Sequence, residues 1–199
     1  GLVRRTEDER WELVNQILSS PDLLTVGESD RRKAMERLAA LEDLSAHQRA
    51  EYLLAAGRPA EAMEAALFAA TGPLARADQA SALLTAARAA MQRRAAGELG
   101  DDELHPLLVD AARALNDSTR FGEASEVLAE VVSEGPSRLP ALVERLRAAL
   151  GTGDRRLGAL LASEHAEEID RAGGADGSRA RARRNMLTPL DSTGAELFA

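Results

Sequence analysis

Two stretches of this chain carry the same helix–turn–helix pattern at a fixed separation, and that repetition limits what it can fold into. Thr119-Arg120-Phe121-Gly122-Glu123-Ala124 recurs in pattern at Gly153-Asp154-Arg155-Arg156-Leu157-Gly158, so Ala124 and Gly158 lie 34 positions apart. An amphipathic run of helical length flanks each piece on both sides. A 34-residue period of helix, tight turn and helix is the mark of stacked α-hairpins: one pair cannot bury its apolar face alone, and stacking makes the core continuous.

Composition agrees with an all-α chain. It is 45% hydrophobic but only 3% aromatic, and alanine, the best helix former, supplies much of the apolar content. The formal net charge of −8 gives no global attraction to nucleic acid or anionic lipid. Between Glu98 and Glu134 ten carboxylates face only Arg113 and Arg120, a local excess equal to that of the whole chain. The absence of cysteine excludes disulfides, thiolate metal sites and cysteine catalysis. No charged-then-apolar leader opens the chain and no apolar run approaches the roughly 18–20 residues of a membrane span. A soluble, cytoplasmic protein is the expectation.

Taken in order, Thr6-Glu7-Asp8-Glu9 reads as a capping box with Trp11, Val14 and Leu18 behind it, which predicts a helix over about 7–19. The rival is a hairpin, Leu2–Thr6 returning as Arg10–Val14. A helix follows from Ser29 or Asp30 to Leu44, with Met35, Leu38, Leu41 and Leu44 inward. Ser45-Ala46-His47-Gln48 is another capping box, and Gly57 and Pro59 separate its helix from the next. Longer helices are expected over 74–96 and 101–116, then over 121–134, 139–150 and 154–171. Gly173-Gly174-Ala175-Asp176-Gly177 is the best linker in the chain, ahead of a short basic helix at 178–187 and a tail. The domain reading is therefore an N-terminal segment over 1–44, helical or a winged-helix remnant, a repeat region over 45–172, and a linker, basic helix and tail over 173–199.

The repeat region resembles a tetratricopeptide array. Ala112, Ala124 and Val131 stand at that family's three small-residue positions, Phe121 at its aromatic position and Pro136 at its closing proline. The next copy has Gly158 at the central small position but Leu146 and His165 at the others, and an earlier copy has Ala50, Ala62 and Ala69. No copy carries the family's tryptophan, and Ala62 to Ala124 is 62 residues rather than two full periods. The resemblance implies tandem antiparallel helical hairpins forming a tetratricopeptide-like right-handed superhelix. It also implies a concave groove lined by His47, Glu51 and Leu54, by Val109, Arg113, Asn116 and Asp117, and by Val143 and Arg147. Arg113 and Arg147 fall at one repeat position and would grip a carboxylate or phosphate, or else pair with Asp110, Asp117 or Glu144. A narrower similarity links Glu51–Ala62 to the repeat region of large bacterial signalling ATPases of the maltose-regulator and LuxR-type kind. There the segment Gly1–Val14 would be the last hairpin of a winged helix, and the module would serve signalling and transcription regulation.

Chemistry is sparse. Gly151-x-Gly153 with Gly158 lacks the third glycine and the preceding strand of a dinucleotide loop. Asp102-x-x-His105 and His165-x-x-Glu168 each put an acid and an imidazole one turn apart, but a di-iron bundle needs Glu-x-x-His, which does not occur. Arg179, Arg181, Arg183 and Arg184 form either a small anion-binding arm or a solvated helix. The chain is thus read as a non-catalytic module without cofactor or metal. It would bind a protein, a peptide or a small effector in its groove, with no direct nucleic-acid or membrane role. The alternatives are a self-contained helical-bundle enzyme or metal protein, and a homodimerisation domain that pairs through its end helices.

Overall fold

The computed structural model describes residues 3–5, 11–13, 27–73, 75–131 and 135–187. Among them, ten α-helices follow one short antiparallel ladder. Strand β1 (Val3–Arg5) pairs with β2 (Trp11–Leu13), Val3 opposite Leu13 and Arg5 opposite Trp11. The expected helix over 7–19 is therefore wrong at Trp11–Leu13, and the hairpin alternative describes this stretch. Val3 and Trp11, β-branched and aromatic, favour an extended chain. The remainder of 1–26 lies outside the described residues.

The helices are α1 (Glu28–Ala39), α2 (Ala46–Ala55), α3 (Pro59–Thr71), α4 (Arg76–Ala95) and α5 (Asp101–Asp117). They continue as α6 (Phe121–Leu128), α7 (Arg138–Thr152), α8 (Arg155–Glu164), α9 (Ala166–Arg171) and α10 (Gly174–Leu187). The second capping box forms as read: Gln48 N–H donates to Ser45 Oγ at 3.2 Å and Ser45 N–H to Gln48 Oε1 at 3.1 Å.

Three turns share one backbone shape. Gly57, Thr119 and Gly153 have φ of 79°, 64° and 74°. The next residues, Arg58, Arg120 and Asp154, have ψ of 65°, 56° and 75° and cap the following helix. Five positions after each left-handed residue comes Ala62, Ala124 or Gly158, all buried. Two of the turns add the same ion pair. Arg58 Nε meets Glu61 and Arg120 Nε meets Glu123, both at 2.7 Å, and Arg120 also donates to Ser81 Oγ on α4 at 2.7 Å.

The turns also explain the irregular spacing. Short connections make successive helices antiparallel neighbours, so α2–α3, α5–α6 and α7–α8 are hairpins of one kind and α4 is an odd helix between them. That odd helix reverses the first hairpin relative to the other two. It is wrapped by neighbours, and Ala80, Ala82, Ala86, Ala87, Ala89 and Ala90 are all 0% exposed, the all-round burial of an interior helix. Each helix from α1 to α7 packs on its successor, as α9 does on α10; α2 also packs on α4 and α5 on α7, while α10 folds back on α7 and α8. The main core joins Leu84, Leu104, Leu108, Leu115, Val127 and Leu128, and a second joins Leu142, Leu146, Leu161, Ile169, Ala180 and Leu187.

Several boundaries differ from expectation. Helix α6 stops at Leu128, short of Glu134; residues 132–134 lie outside the description. The helix expected over 154–171 breaks at His165, where φ is −110° and ψ 19°. On a straight helix Ile169 would sit about 80° around the axis from Leu161, and the break brings it into the second core, 0% exposed. Leu41, expected inward, is 52% exposed beyond the end of α1. The glycine-rich linker is instead the entry to α10. Gly177 packs so closely on the Ala172 carbonyl that a Cβ would collide with backbone, and Arg181 Nη1 donates to that same carbonyl at 2.7 Å.

Gly177→Ala gains up to about 1 kcal/mol of helix propensity against about 1–3 kcal/mol of overpacking. A net loss of about 1 kcal/mol is expected, read from denaturant midpoints. Arg120 also makes a pH prediction. Its hydrogen bond holds the Glu123 carboxyl below its ordinary value of 4.5, and burial opposes this. A lowered folded pKa contributes stability above 4.5 that is lost as pH falls through the folded value. Glu123→Gln should flatten the acid limb of the stability profile; an unchanged limb would assign it to other carboxylates.

Candidate binding groove

The face shared by α5 and α7 is organised around a buried acid. The Glu144 side chain is 4% exposed. Asn116 Nδ2 donates to Glu144 Oε2 at 2.9 Å and to its backbone carbonyl at 3.1 Å. Arg113 Nε lies 3.8 Å from Oε1 and Arg147 Nη1 3.7 Å from Oε2. The 34-residue spacing thus does bring the two arginines to one surface, where they converge on Glu144. Each also holds a second acid, Arg113 with Asp110 at 3.0 Å and Arg147 with Asp117 at 2.6 Å. From α10, Arg183 Nη1 donates to the Val143 carbonyl at 2.7 Å. Burial lowers the pKa of that guanidinium; Glu144 opposes the shift and Arg147 adds to it.

Beside this knot, a recess of 570 Å³ opens between α4 and α5. Leu83 and Ala114 give it apolar surface, and Arg76, Gln79, Asp110, Arg113 and Asp117 make it polar. Arg76, Gln79 and Leu83 follow one helical stripe at i, i+3 and i+7. None of the three was anticipated from the sequence, although that spacing carries the signal. Glu144 was foreseen as an ion-pair partner, but its burial was not.

The other expected groove residues are placed elsewhere. Val109 and Val143 are 4% and 1% exposed and belong to the two cores; Asn116, at 1%, is sealed beneath the surface with Glu144. A stacking helix must spend its inward positions on the neighbouring pair, which leaves them no open face. His47, Glu51 and Leu54 lie on α2, and none of them lines the α4–α5 recess. The odd helix α4 separates the first hairpin from the later two. His47 Nε2 meets Glu51 at 3.5 Å on their own helix.

Other motifs resolve into packing. Phe121 stacks where a Cβ on Gly151 would be, and Leu187 where one on Gly158 would be. His165 Nδ1 lies 3.2 Å from Glu168, which Arg138 also meets at 2.9 Å. No group of three His, Cys, Asp or Glu among the described residues could hold a metal ion, and none of the described helices is long and apolar enough to cross a membrane. The basic stretch on α10 is not a free arm: Arg181 bonds the Ile169 and Ala172 carbonyls, Arg183 the Val143 carbonyl, and Arg184 meets Asp170 at 2.8 Å.

Comparison of the chain with protein-family models, with curated proteins and with solved structures returns no match.

Removing the Asn116 amide leaves a buried carboxylate without its hydrogen-bond donor. Asn116→Ala should cost about 2 kcal/mol or more in chemical denaturation. Asn116→Ala with Glu144→Leu should recover part of that loss, because no charge is then left buried.

Proposed function

We propose that this chain is a non-catalytic helical-repeat module that binds an extended protein segment through the recess between α4 and α5. The observation that carries this reading is the recess itself: 570 Å³, open, and lined by both charge signs beside Leu83. Arg76 adds weight. It occupies the first position of α4, where a cation works against the helix dipole, and it has no ion pair or hydrogen bond among the described residues. Arg113, by contrast, is already neutralised. The preferred segment therefore offers a carboxylate to Arg76 and Gln79, and an apolar side chain to Leu83. An open trough suits a peptide better than a small effector, which needs enclosure on most sides.

The tetratricopeptide-like arrangement is supported by the three recurring turns and by the consecutive hairpins α5–α6 and α7–α8. We further read the module as the sensor or interaction part of a larger bacterial regulator. The β1–β2 ladder ahead of the helices supports this, matching the winged-helix hairpin that the resemblance leads one to expect.

Peptides selected by display against the chain should carry an acidic residue near an apolar one. Arg76→Glu should weaken them about tenfold or more, one charge-assisted hydrogen bond's worth, with a melting temperature equal to or above the parent's, since an acid suits the helix N-terminus. Selected peptides that bind Arg76→Glu as well as the parent chain reject the site.

A further inference from the structure

A second surface lies on the first hairpin, away from the α4–α5 recess. Phe68 on α3 is 74% exposed, more than any other large apolar side chain among the described residues. It borders a recess of 440 Å³ between α2 and α3 whose apolar surface comes from Ala46, Leu53 and Ala65. Arg49 on the recess rim donates to the backbone carbonyl of Leu41, itself 52% exposed, at 3.2 Å. Exposed apolar residues clustered around a hollow mark an interaction site, whereas scattered ones do not.

The rim says what fits. Arg49 and Glu64 both line the recess, and neither has an ion-pair partner among the described residues. The third rim charge, Glu61, is held by Arg58. One patch thus presents a projecting aromatic ring, an apolar hollow, and one cation and one anion without an ion pair among the described residues. Two-fold association requires this self-complementarity, because each surface must supply both the knob and the hole.

We propose that a second copy of this chain docks here about a two-fold axis. Each Phe68 enters the partner copy's recess, and Arg49 of each copy pairs with Glu64 of the other. The contact is independent of the α4–α5 recess, so either can fail without the other.

Light scattering coupled to size exclusion tests it on the whole chain. The expected mass is twice the 21.2 kDa of one copy. Phe68→Glu should raise the dissociation constant at least about thirtyfold, as for a central aromatic anchor, with circular dichroism unchanged because the ring is exposed. Arg49→Glu sets like charges together twice per dimer and should weaken it about tenfold; Arg49→Glu with Glu64→Arg should restore it. Three results would overturn the proposal: a single-copy mass at the highest soluble concentration, a dimer indifferent to Phe68→Glu, or a mass that grows without limit, which signals head-to-tail contacts.

Discussion

One buried carboxylate sets the terms for the C-terminal half of the molecule. Glu144 is almost sealed between α5 and α7, and a lone charge there would cost far more than a domain can spare. Asn116 supplies its hydrogen bond from α5, and Arg113 and Arg147 supply charge. Arg183, anchored on the Val143 carbonyl, brings the field of α10 to the same place. Three helices, α5, α7 and α10, are thus obliged to meet. Apolar packing would tolerate small slips of α7 along α5; an amide donating to both the backbone and the side chain of one residue would not.

The same constraint redefines the groove. Arginines at equivalent repeat positions look like a ready anion clamp, but here the fold has already supplied their anions. A ligand carboxylate competing for Arg113 or Arg147 would have to displace Asp110, Asp117 or Glu144, and the last cannot be left buried and unpaired. The proposed recognition would instead use groups that stability does not need. Arg76 is the clearest example, a cation placed at the wrong end of its helix for the dipole and without an ion pair or hydrogen bond among the described residues.

What the sequence disclosed follows the range of the forces involved. Local signals were readable: the Ser45 capping box, the Gly57 and Gly153 turns and the helical core stripes all rest on residues within four positions of each other. The Thr119 turn was legible through its likeness to the Gly153 turn, although threonine seldom adopts a positive φ. The helix break at His165 was not, because Ile169 is re-aimed by partners on α7 and α10. Nor was the glycine-rich stretch at 173–177, where Gly177 is small to clear the Ala172 carbonyl rather than to loosen the chain. The N-terminal ladder was readable only as an alternative, since Trp11 and Leu13 serve either period. The convergence of Arg113 and Arg147 on one surface was legible in their spacing, while Val109 and Val143 are buried because inward and groove-facing positions lie only a fraction of a helical turn apart.

The acid-rich stretch shows why charge counts need geometry. Read along the chain, Glu98 to Glu134 is a block of negative charge with two arginines. In the fold, α4 lends Arg93 to Glu98 and Arg94 to Asp101, and α7 lends Arg147 to Asp117. The hydrogen bond from Arg94 holds the Asp101 carboxyl below its ordinary range, and burial opposes it only in part. Cations from the flanking helices therefore pair with three of the ten carboxylates at contact distance, where screening by salt is weakest. What remains at the α4–α5 recess is a mixture of signs within a few ångströms. Such a surface has little reach as a steering field, but under the proposed function it would discriminate between segments once they are in contact, because a misplaced charge meets its own sign.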